Sequence, residues 1–101
     1  MNQQQMLREA RKLQEKLARV QAELAAETVV GSAASGSVEI TLDGHGDVKK
    51  VKIDPAVVDP EDVETLEDLI SVALTDARSK VASLSQSRMG PLTGGLGIPG
   101  F

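Results

Sequence analysis

The sequence predicts an α+β fold in which a long N-terminal helix is followed by a three-stranded antiparallel β-meander and a long C-terminal helix. Three observations predict this order. Apolar residues recur every three or four positions near the N-terminus, alternate with polar residues in the middle, and recur at helical spacing again after residue 60. The chain has 101 residues, so residues 1–101 are expected to form a single domain. Its net charge is −4.

The first helix is predicted over residues 3–27. This segment is rich in Gln, Glu, Lys, Arg, Leu and Ala and contains neither Gly nor Pro, so its helix propensity is high. Its apolar residues follow the spacing of a heptad seam: Met6, Ala10, Leu13, Leu17, Val20 and Leu24. A helix of this length measures about 37 Å. Because so small a domain cannot bury it, we expect part of the helix to project into solvent or to pack on a partner.

The β-meander is predicted over residues 28–54. Strands are expected near residues 28–33, 36–43 and 47–54. The second strand alternates apolar and polar residues, which is typical of a strand with one buried face. The Gly-, Ser- and Ala-rich residues 31–36 are expected to be flexible, and the Asp-Gly-His-Gly segment predicts a turn, because glycine can adopt positive φ angles. The alternation slips between Val48 and Val51, which indicates a β-bulge.

The second helix is predicted over residues 60–87. Asp59 is a suitable N-cap, Pro60 suits the first helical position, and the acidic residues that follow complement the helix dipole. The apolar stripe of this helix comprises Val63, Leu66, Ile70, Ala73, Ala77, Val81 and Leu84. Residues 88–101 are predicted to form a flexible Gly/Pro tail, which is a candidate segment for binding a protein partner.

Several classes of protein are excluded by composition and local pattern. There is no Cys, hence no disulfide, and no apolar run approaches the length of a membrane span, so we expect a soluble, intracellular protein. His45 lies between two glycines and is interpreted as an exposed turn residue rather than a catalytic base or metal ligand. The glycine-rich tail lacks the Gly-Lys-Ser/Thr ending of a phosphate loop. We therefore expect no enzyme, cofactor or metal site.

The acidic residues at the start of the second helix are interpreted as a solvated face: Glu61, Asp62, Glu64, Glu67 and Asp68. Positive charge is concentrated in the first helix instead. Residues 1–20 contain five basic and two acidic residues, net +3, whereas residues 54–87 contain eight acidic and two basic residues, net −6. By pattern alone, basic residues on a helix more often form the solvated face of a coiled coil than a contact with a polyanion.

Four segments together are specific enough to indicate a family: Ile53-Asp54-Pro55, Asp59-Pro60-Glu61-Asp62, Leu66-Glu67-Asp68-Leu69 and the tail from Met89 to Gly100. In these, and over nearly its whole length, the chain resembles the YbaB/EbfC family of bacterial nucleoid-associated proteins. The resemblance implies a small cytoplasmic, tweezer-like homodimer that binds double-stranded DNA in the nucleoid through projecting helical arms. It therefore favours DNA contact as the role of the basic helix.

The resemblance and the charge pattern together predict two sets of functional residues. We expect phosphate contacts from Arg8, Arg11, Lys12, Lys16 and Arg19, with Lys80 and Arg88 if the end of the second helix lies beside the first. We expect dimer or core contacts from Leu13, Leu17, Val20, Leu66, Ile70, Ala73, Ala77 and Val81. The absence of zinc ligands and of a helix-turn-helix pattern predicts low sequence specificity. The alternative is a coiled-coil adaptor or holdase that does not bind DNA.

Overall fold

The computed structural model describes the backbone of residues 2–95 and the side chains of residues 2–90. Its helices and strands are, in chain order, α1 (Gln3–Ala26), β1 (Thr28–Ala33), β2 (Val38–Asp43), β3 (Val48–Ile53) and α2 (Val63–Gly95). Short 3-10 turns precede β2 and follow β3. The order of the elements confirms the predicted α+β fold.

The start of α1 is capped by the residue types that favour a helix N-terminus. The Asn2 side chain accepts a hydrogen bond from the Gln5 N–H at 2.8 Å, and the Gln5 side chain accepts one from the Asn2 N–H at 3.3 Å. This reciprocal pair is a capping box, which satisfies two N–H groups that have no partner inside the helix. Leu24, in the last turn, is the one buried side chain of α1.

The three strands form an antiparallel sheet in the order β1-β2-β3. Thr41 pairs with Lys50 and Leu42 pairs with Val48, so Lys49 is the extra residue of a β-bulge, as the slip in the sequence pattern predicted. The expectation that residues 31–36 are flexible was wrong for residues 31–33, which pair with β2. Their small side chains reflect close packing, because Gly31 and Ala33 are buried.

The core lies between α2 and the first two strands. Its buried side chains are Ala33, Val38, Ile40, Leu42, Ala73 and Ala77. A Cβ atom at Gly31 would lie 2.2 Å from the carbonyl oxygen of Ala73 and 2.3 Å from the backbone nitrogen of Ala77. The backbones of β1 and α2 therefore touch where both elements carry only small residues. Because α2 lies across β1 and β2, it leaves β3 uncovered, and Val48 and Val51 are 59% and 51% exposed.

The ends of α2 differ from the sequence prediction. Asp59 does not cap the helix but forms a turn, in which it accepts hydrogen bonds from Glu61 and Asp62. Asp62 caps instead, because its carboxylate accepts from the Thr65 N–H at 3.3 Å and from the Thr65 hydroxyl at 2.6 Å. The helix consequently begins at Val63, three residues later than predicted.

At its C-terminal end, α2 continues to Gly95, so the first residues of the predicted Gly/Pro tail are helical. Pro91 removes one helical hydrogen bond, to the carbonyl of Ser87. The ring of a proline also clashes with the Cβ atom of the preceding residue. Gly90 has no Cβ atom, which lowers this barrier to helix continuation. Residues 96–101, the rest of the predicted tail, lie outside the described residues.

The described chain is elongated. Its Cα radius of gyration is 19.4 Å and its principal extents are 70 × 25 × 17 Å, whereas a compact domain of this length has a radius of gyration of about 13 Å. The excess length comes from α1 and from the end of α2, which extend beyond the sheet. Within residues 2–95, no helix has the length and apolar character needed to cross a membrane.

Candidate nucleic-acid interface

The N-terminal helix presents a row of basic side chains to solvent. All five are exposed: Arg8, Arg11, Lys12, Lys16 and Arg19. At about 100° per residue, four of them fall within an arc of about 80°, and Arg11 lies further round. We call these four residues, Arg8, Lys12, Lys16 and Arg19, the basic stripe.

The basic stripe faces away from the protein because the apolar seam of α1 faces toward it. Leu13, Leu17 and Val20 are half-buried and Leu24 is buried, whereas the stripe lies about a third of a turn round the helix from this seam. The ion pairs of the described side chains involve Lys49, Lys80 and Arg88, and none of them uses a basic residue of α1. The stripe is therefore available to an anionic partner.

Lys80 already has partners within the protomer. Its ammonium group donates to the carbonyl oxygen of Val30 at 2.7 Å and lies 3.3 Å from the Asp76 carboxylate. That carboxylate accepts from the Ser32 N–H at 3.0 Å. This N–H, with the ammonium of Lys80, lowers the pKa of Asp76. Together the two side chains satisfy backbone groups on the open edge of β1, which would otherwise be free to pair with another strand.

Arg88 contacts the C-terminal end of α1, residues 21–27, which we call the root of the helix. It forms an ion pair there with Glu27, the residue that follows the last turn. Its guanidinium group therefore joins α2 to α1. The structure brings the five basic residues of α1 together on one helix but places Lys80 and Arg88 in contacts within the protomer.

The turn between β2 and β3 holds an arrangement that the sequence analysis missed. Asp43 is 3% exposed, and its carboxylate accepts from the N–H groups of His45 at 2.8 Å and Asp47 at 3.1 Å. The Lys49 ammonium lies 3.5 Å away. Burial alone would raise the pKa of Asp43, but these N–H groups and the ammonium outweigh it and lower the pKa. The available signal was an aspartate at the start of a turn, where its carboxylate accepts from backbone N–H groups nearby.

His45 is an exposed turn residue, as the sequence predicts, and its ring also contacts α1. Its ring is exposed, but the Nε2 atom lies 3.0 Å from the backbone oxygen of Gln21 in α1. Across the described side chains, no group of three or more His, Cys, Asp or Glu residues is arranged to hold a metal ion. The turn therefore has the features of a structural contact with α1.

An apolar surface remains uncovered beside α2. Asp76 and Lys80 fix the flank of α2 that faces β1, so the opposite flank faces β3. Three half-buried side chains on that flank, together with the apolar residues of β3, form what we call the β3 face: Ile70, Leu74, Val81, Val48, Val51 and Ile53. Of the other predicted dimer or core residues on α2, Ala73 and Ala77 are fully buried within the protomer and Leu66 packs against the same core.

Comparisons with known proteins identify a family and several relatives. The sequence model of the YbaB/EbfC DNA-binding family matches residues 1–96. A nucleoid-associated protein of Roseiflexus castenholzii is 48% identical over 101 residues, all of both chains. One from Corynebacterium efficiens is 53% identical over 93 residues, 92% of this chain and 87% of the relative. These names describe DNA-associated proteins and not enzymes.

A solved structure has a similar fold. The uncharacterized protein HP0035 from Helicobacter pylori superposes with a TM-score of 0.75 at 17% identity, covering 95% of this chain and 98% of the other. At this identity the likeness concerns the fold alone. The match of the family model over residues 1–96, with the relatives at about half identity, shows that the chain belongs to the YbaB/EbfC DNA-binding family.

Proposed function

We propose that this protein is a nucleoid-associated protein that binds double-stranded DNA with little sequence specificity, through phosphate contacts from α1. The observation that carries the proposal is the basic stripe, four exposed and unpaired basic side chains on the projecting helix of an acidic chain. Arg and Lys side chains in such a row neutralise phosphates, and the released counterions make binding favourable and dependent on salt. The protein then acts in the nucleoid, on chromosome organisation and gene expression.

The distribution of charge limits which part of the molecule approaches DNA. The second helix begins in a run of acidic residues, and these repel phosphates. We therefore assign the contact to α1, so few phosphates are neutralised at once. We leave Lys80 and Arg88 out of the contact set, because both side chains are already paired with acidic residues of the protomer.

Low sequence specificity is supported by the surroundings of α1. In a helix-turn-helix protein, a neighbouring helix crosses the DNA backbone and positions the recognition helix in the major groove. Here α1 is followed by β1 rather than by a second helix, so this positioning is missing. Phosphate contacts orient a protein on the duplex but carry no direct sequence information.

The proposal includes a homodimer, which we infer to form through the β3 face. Val48 and Val51 are more than half exposed, although they lie on the same side of the sheet as the buried core residues with which they pair, Leu42 and Ile40. Apolar side chains at this position are typical of an interface rather than of a solvated strand. A second copy placed there would cover them and add a second basic arm to the assembly.

The DNA contact is tested with the double variant Lys12→Gln/Lys16→Gln, which neutralises half of the basic stripe without adding bulk. The control, Lys50→Gln/Arg78→Gln, removes the same charge from exposed positions on β3 and α2. Fluorescence anisotropy with a random-sequence duplex is measured at about 50 and 200 mM salt. The affinity falls with salt concentration, and on logarithmic axes each neutralised phosphate contributes about 0.9 to the steepness of this fall. If all four of these lysines in a dimer contact phosphates, the double variant should lower the steepness by about 3.6.

We expect Lys12→Gln/Lys16→Gln to lose at least about tenfold in DNA affinity at the lower salt concentration, and the control variant to bind like the wild type. An unlabelled duplex of scrambled sequence should displace the probe as well as the original duplex does. Equal losses in the two variants would contradict the assignment to α1. Failure of the wild type to bind at micromolar concentration and low salt would overturn the proposed function.

The alternative function, a coiled-coil adaptor or holdase, has one observation in its favour. Met6 and Leu7, near the tip of α1, are 55% and 59% exposed. An adaptor would grip protein partners with these side chains, whereas a DNA-binding arm does not need them. Under the proposed function, Met6→Ala/Leu7→Ala should retain the DNA affinity that Lys12→Gln/Lys16→Gln loses.

A further inference from the structure

We propose that the turn between β2 and β3, residues 43–47, is a brace that sets the direction in which α1 projects from the body, by which we mean the sheet and α2. We propose further that His45 is a positioning residue for DNA contact. The inference rests on the proposed function only in its second half, because the direction of α1 is measurable without DNA. We call residues 43–47 the brace.

The helix α1 needs such a brace because its most buried attachment lies at its root. Leu24 is its one buried side chain, and every residue from 2 to 12 is exposed. The ion pair of Arg88 also acts at the root, on Glu27. Because the remaining turns of α1 have few contacts with the body, the contacts around residues 21–27 decide where the basic stripe points.

The brace supplies backbone and side-chain donors to this root. The Gly44 N–H donates to the carbonyl oxygen of Leu24 at 2.7 Å and to that of Glu27 at 3.0 Å. The Leu24 carbonyl lies in the last turn of α1, where carbonyl groups have no partner within the helix, so the first of these bonds satisfies it. A Cβ atom at position 44 would lie 2.4 Å from the Leu24 oxygen, which explains why glycine occurs where the turn meets α1.

His45 extends the contact one helical turn toward the arm. Its Nε2 atom lies 3.0 Å from the carbonyl oxygen of Gln21. Because a carbonyl only accepts, the Nε2 atom must carry the proton in this contact. Among the hydrogen bonds of the described residues, this is the one that a side chain of the brace makes to α1.

The brace can transmit a fixed direction because it is itself held rigidly. The Asp43 carboxylate accepts from the N–H groups of His45 and Asp47, and the backbone N–H of Asp43 donates to the Asp47 carbonyl at 2.9 Å. Asp43 ends β2, whose preceding residue, Leu42, is 1% exposed in the core. An unbroken series of contacts therefore runs from the core through Asp43 and His45 to Gln21.

A small change at the root has a large effect at the tip. About 18 residues separate Gln3 from Gln21, which corresponds to roughly 27 Å of helix. A rotation of 10° about the root moves the tip by about 5 Å, close to the roughly 6 Å width of the minor groove. Loss of one root contact would therefore misplace basic side chains relative to phosphates without unfolding the body.

The test compares His45→Ala with His45→Gln, because the glutamine amide can donate to the Gln21 carbonyl and alanine cannot. The chain has no native cysteine, so spin labels can be placed at Gln14→Cys on α1 and Glu61→Cys before α2. Pulsed electron paramagnetic resonance then gives the distance between the labels. Dilution with unlabelled protein restricts the measurement to one protomer. DNA affinity is measured by anisotropy on the unlabelled variants.

We expect His45→Ala to broaden or shift the distance distribution and to lower DNA affinity about three- to tenfold, with circular dichroism unchanged. His45→Gln should restore both values toward those of the wild type. An unchanged distance distribution in His45→Ala would overturn the brace, and an altered distribution with unchanged affinity would overturn the positioning role. If the wild type binds no DNA, the proposed function fails, while the distances still decide whether the brace exists.

Discussion

Gly31 allows α2 and β1 to approach until their backbones touch. A Cβ atom there would meet three atoms of α2 within 2.6 Å, two of which belong to the backbone and cannot rotate away. Gly31→Ala must therefore separate the helix from the strand, and overpacking of this kind typically costs about 1–3 kcal/mol. We expect a lower urea midpoint for this variant.

The control is Ser79→Ala, which also places an alanine on α2 but at an exposed position. Alanine has the highest helix propensity, so this variant should be as stable as the wild type or slightly more stable. A Gly31→Ala variant that unfolds at the wild-type urea concentration would show that the contact between β1 and α2 can relax.

Asp43 makes the brace sensitive to acid. Its pKa is lowered below the ordinary value of 3.8. When the pKa is lower in the folded than in the unfolded state, the carboxylate stabilises the fold above the unfolded pKa, and this stability is lost as pH falls through the folded pKa. Asp43→Asn should therefore unfold at a lower urea concentration than the wild type near pH 7, and the difference should shrink as pH falls toward about 2.

The control for this pH dependence is Asp47→Asn, in the same turn. Asp47 takes part through its backbone N–H, which the substitution keeps. Its urea midpoint should follow that of the wild type at both pH values. If Asp43→Asn differs from the wild type by the same amount at both pH values, the carboxylate charge does not contribute to the stability of the brace.

At the scale of elements, the free edge of β1 is covered by α2. Lys80 and Asp76 bind the Val30 carbonyl and the Ser32 N–H, two groups that an edge strand leaves unpaired. Lys80→Met keeps the aliphatic part of the side chain but removes its donor and charge. We expect a loss of about 1 kcal/mol in the free energy of unfolding, with more aggregation at high protein concentration and unchanged DNA affinity.

Arg78→Met is the control for Lys80→Met, because it removes one positive charge from an exposed position two residues away on the same helix. It should change neither stability nor aggregation. If Lys80→Met instead weakened DNA binding more than Arg78→Met while leaving stability intact, Lys80 would contact phosphates, as the sequence analysis predicted.

The elements could be predicted from the sequence because each follows from local rules. Helical spacing gave the extent of α1 to within one residue, and the slip between Val48 and Val51 indicated a bulge, which the structure places at Lys49. The N-cap of α2 was misassigned because Asp59 and Asp62 are both suitable caps. The choice between them depends on the turn that Asp59 makes with Glu61 and Asp62.

The candidate site was harder to predict because its residues come together only in three dimensions. The basic stripe lies within one helix, so its spacing is visible in the sequence. By contrast, Arg88 meets Glu27 across 61 positions of the chain, and His45 meets Gln21 across 24. No periodicity connects such pairs, and therefore the partners of Arg88 and the role of the brace required the structure.

At the scale of the whole molecule, the separation of charge and apolar surface matches an assembly with two arms. The basic stripe lies on α1, and a separate group of uncovered apolar side chains lies on the β3 face. Two linked arms bind one duplex more tightly than either arm alone, because the second contact occurs at a high effective concentration. Dimerisation through the β3 face would therefore raise DNA affinity without adding any residue to the contact.

The link between dimerisation and DNA affinity predicts how Val51→Lys behaves. A lysine at the centre of the β3 face cannot be buried without a partner, so the variant should sediment near the monomer mass of 10.6 kDa, and the wild type near twice that mass. Because Val51 is 51% exposed in the protomer, the fold should survive. DNA affinity should fall despite the added positive charge, since each protomer now binds with one arm.

Val72→Lys is the control, because Val72 is 55% exposed but lies on the flank of α2 that faces β1. It adds the same charge and should leave both the mass and the DNA affinity at or above the wild-type values. Dissociation by Val72→Lys and not by Val51→Lys would move the interface to that flank. A monomeric Val51→Lys variant that binds DNA as tightly as the wild type would show that one arm suffices and that the dimer serves another purpose.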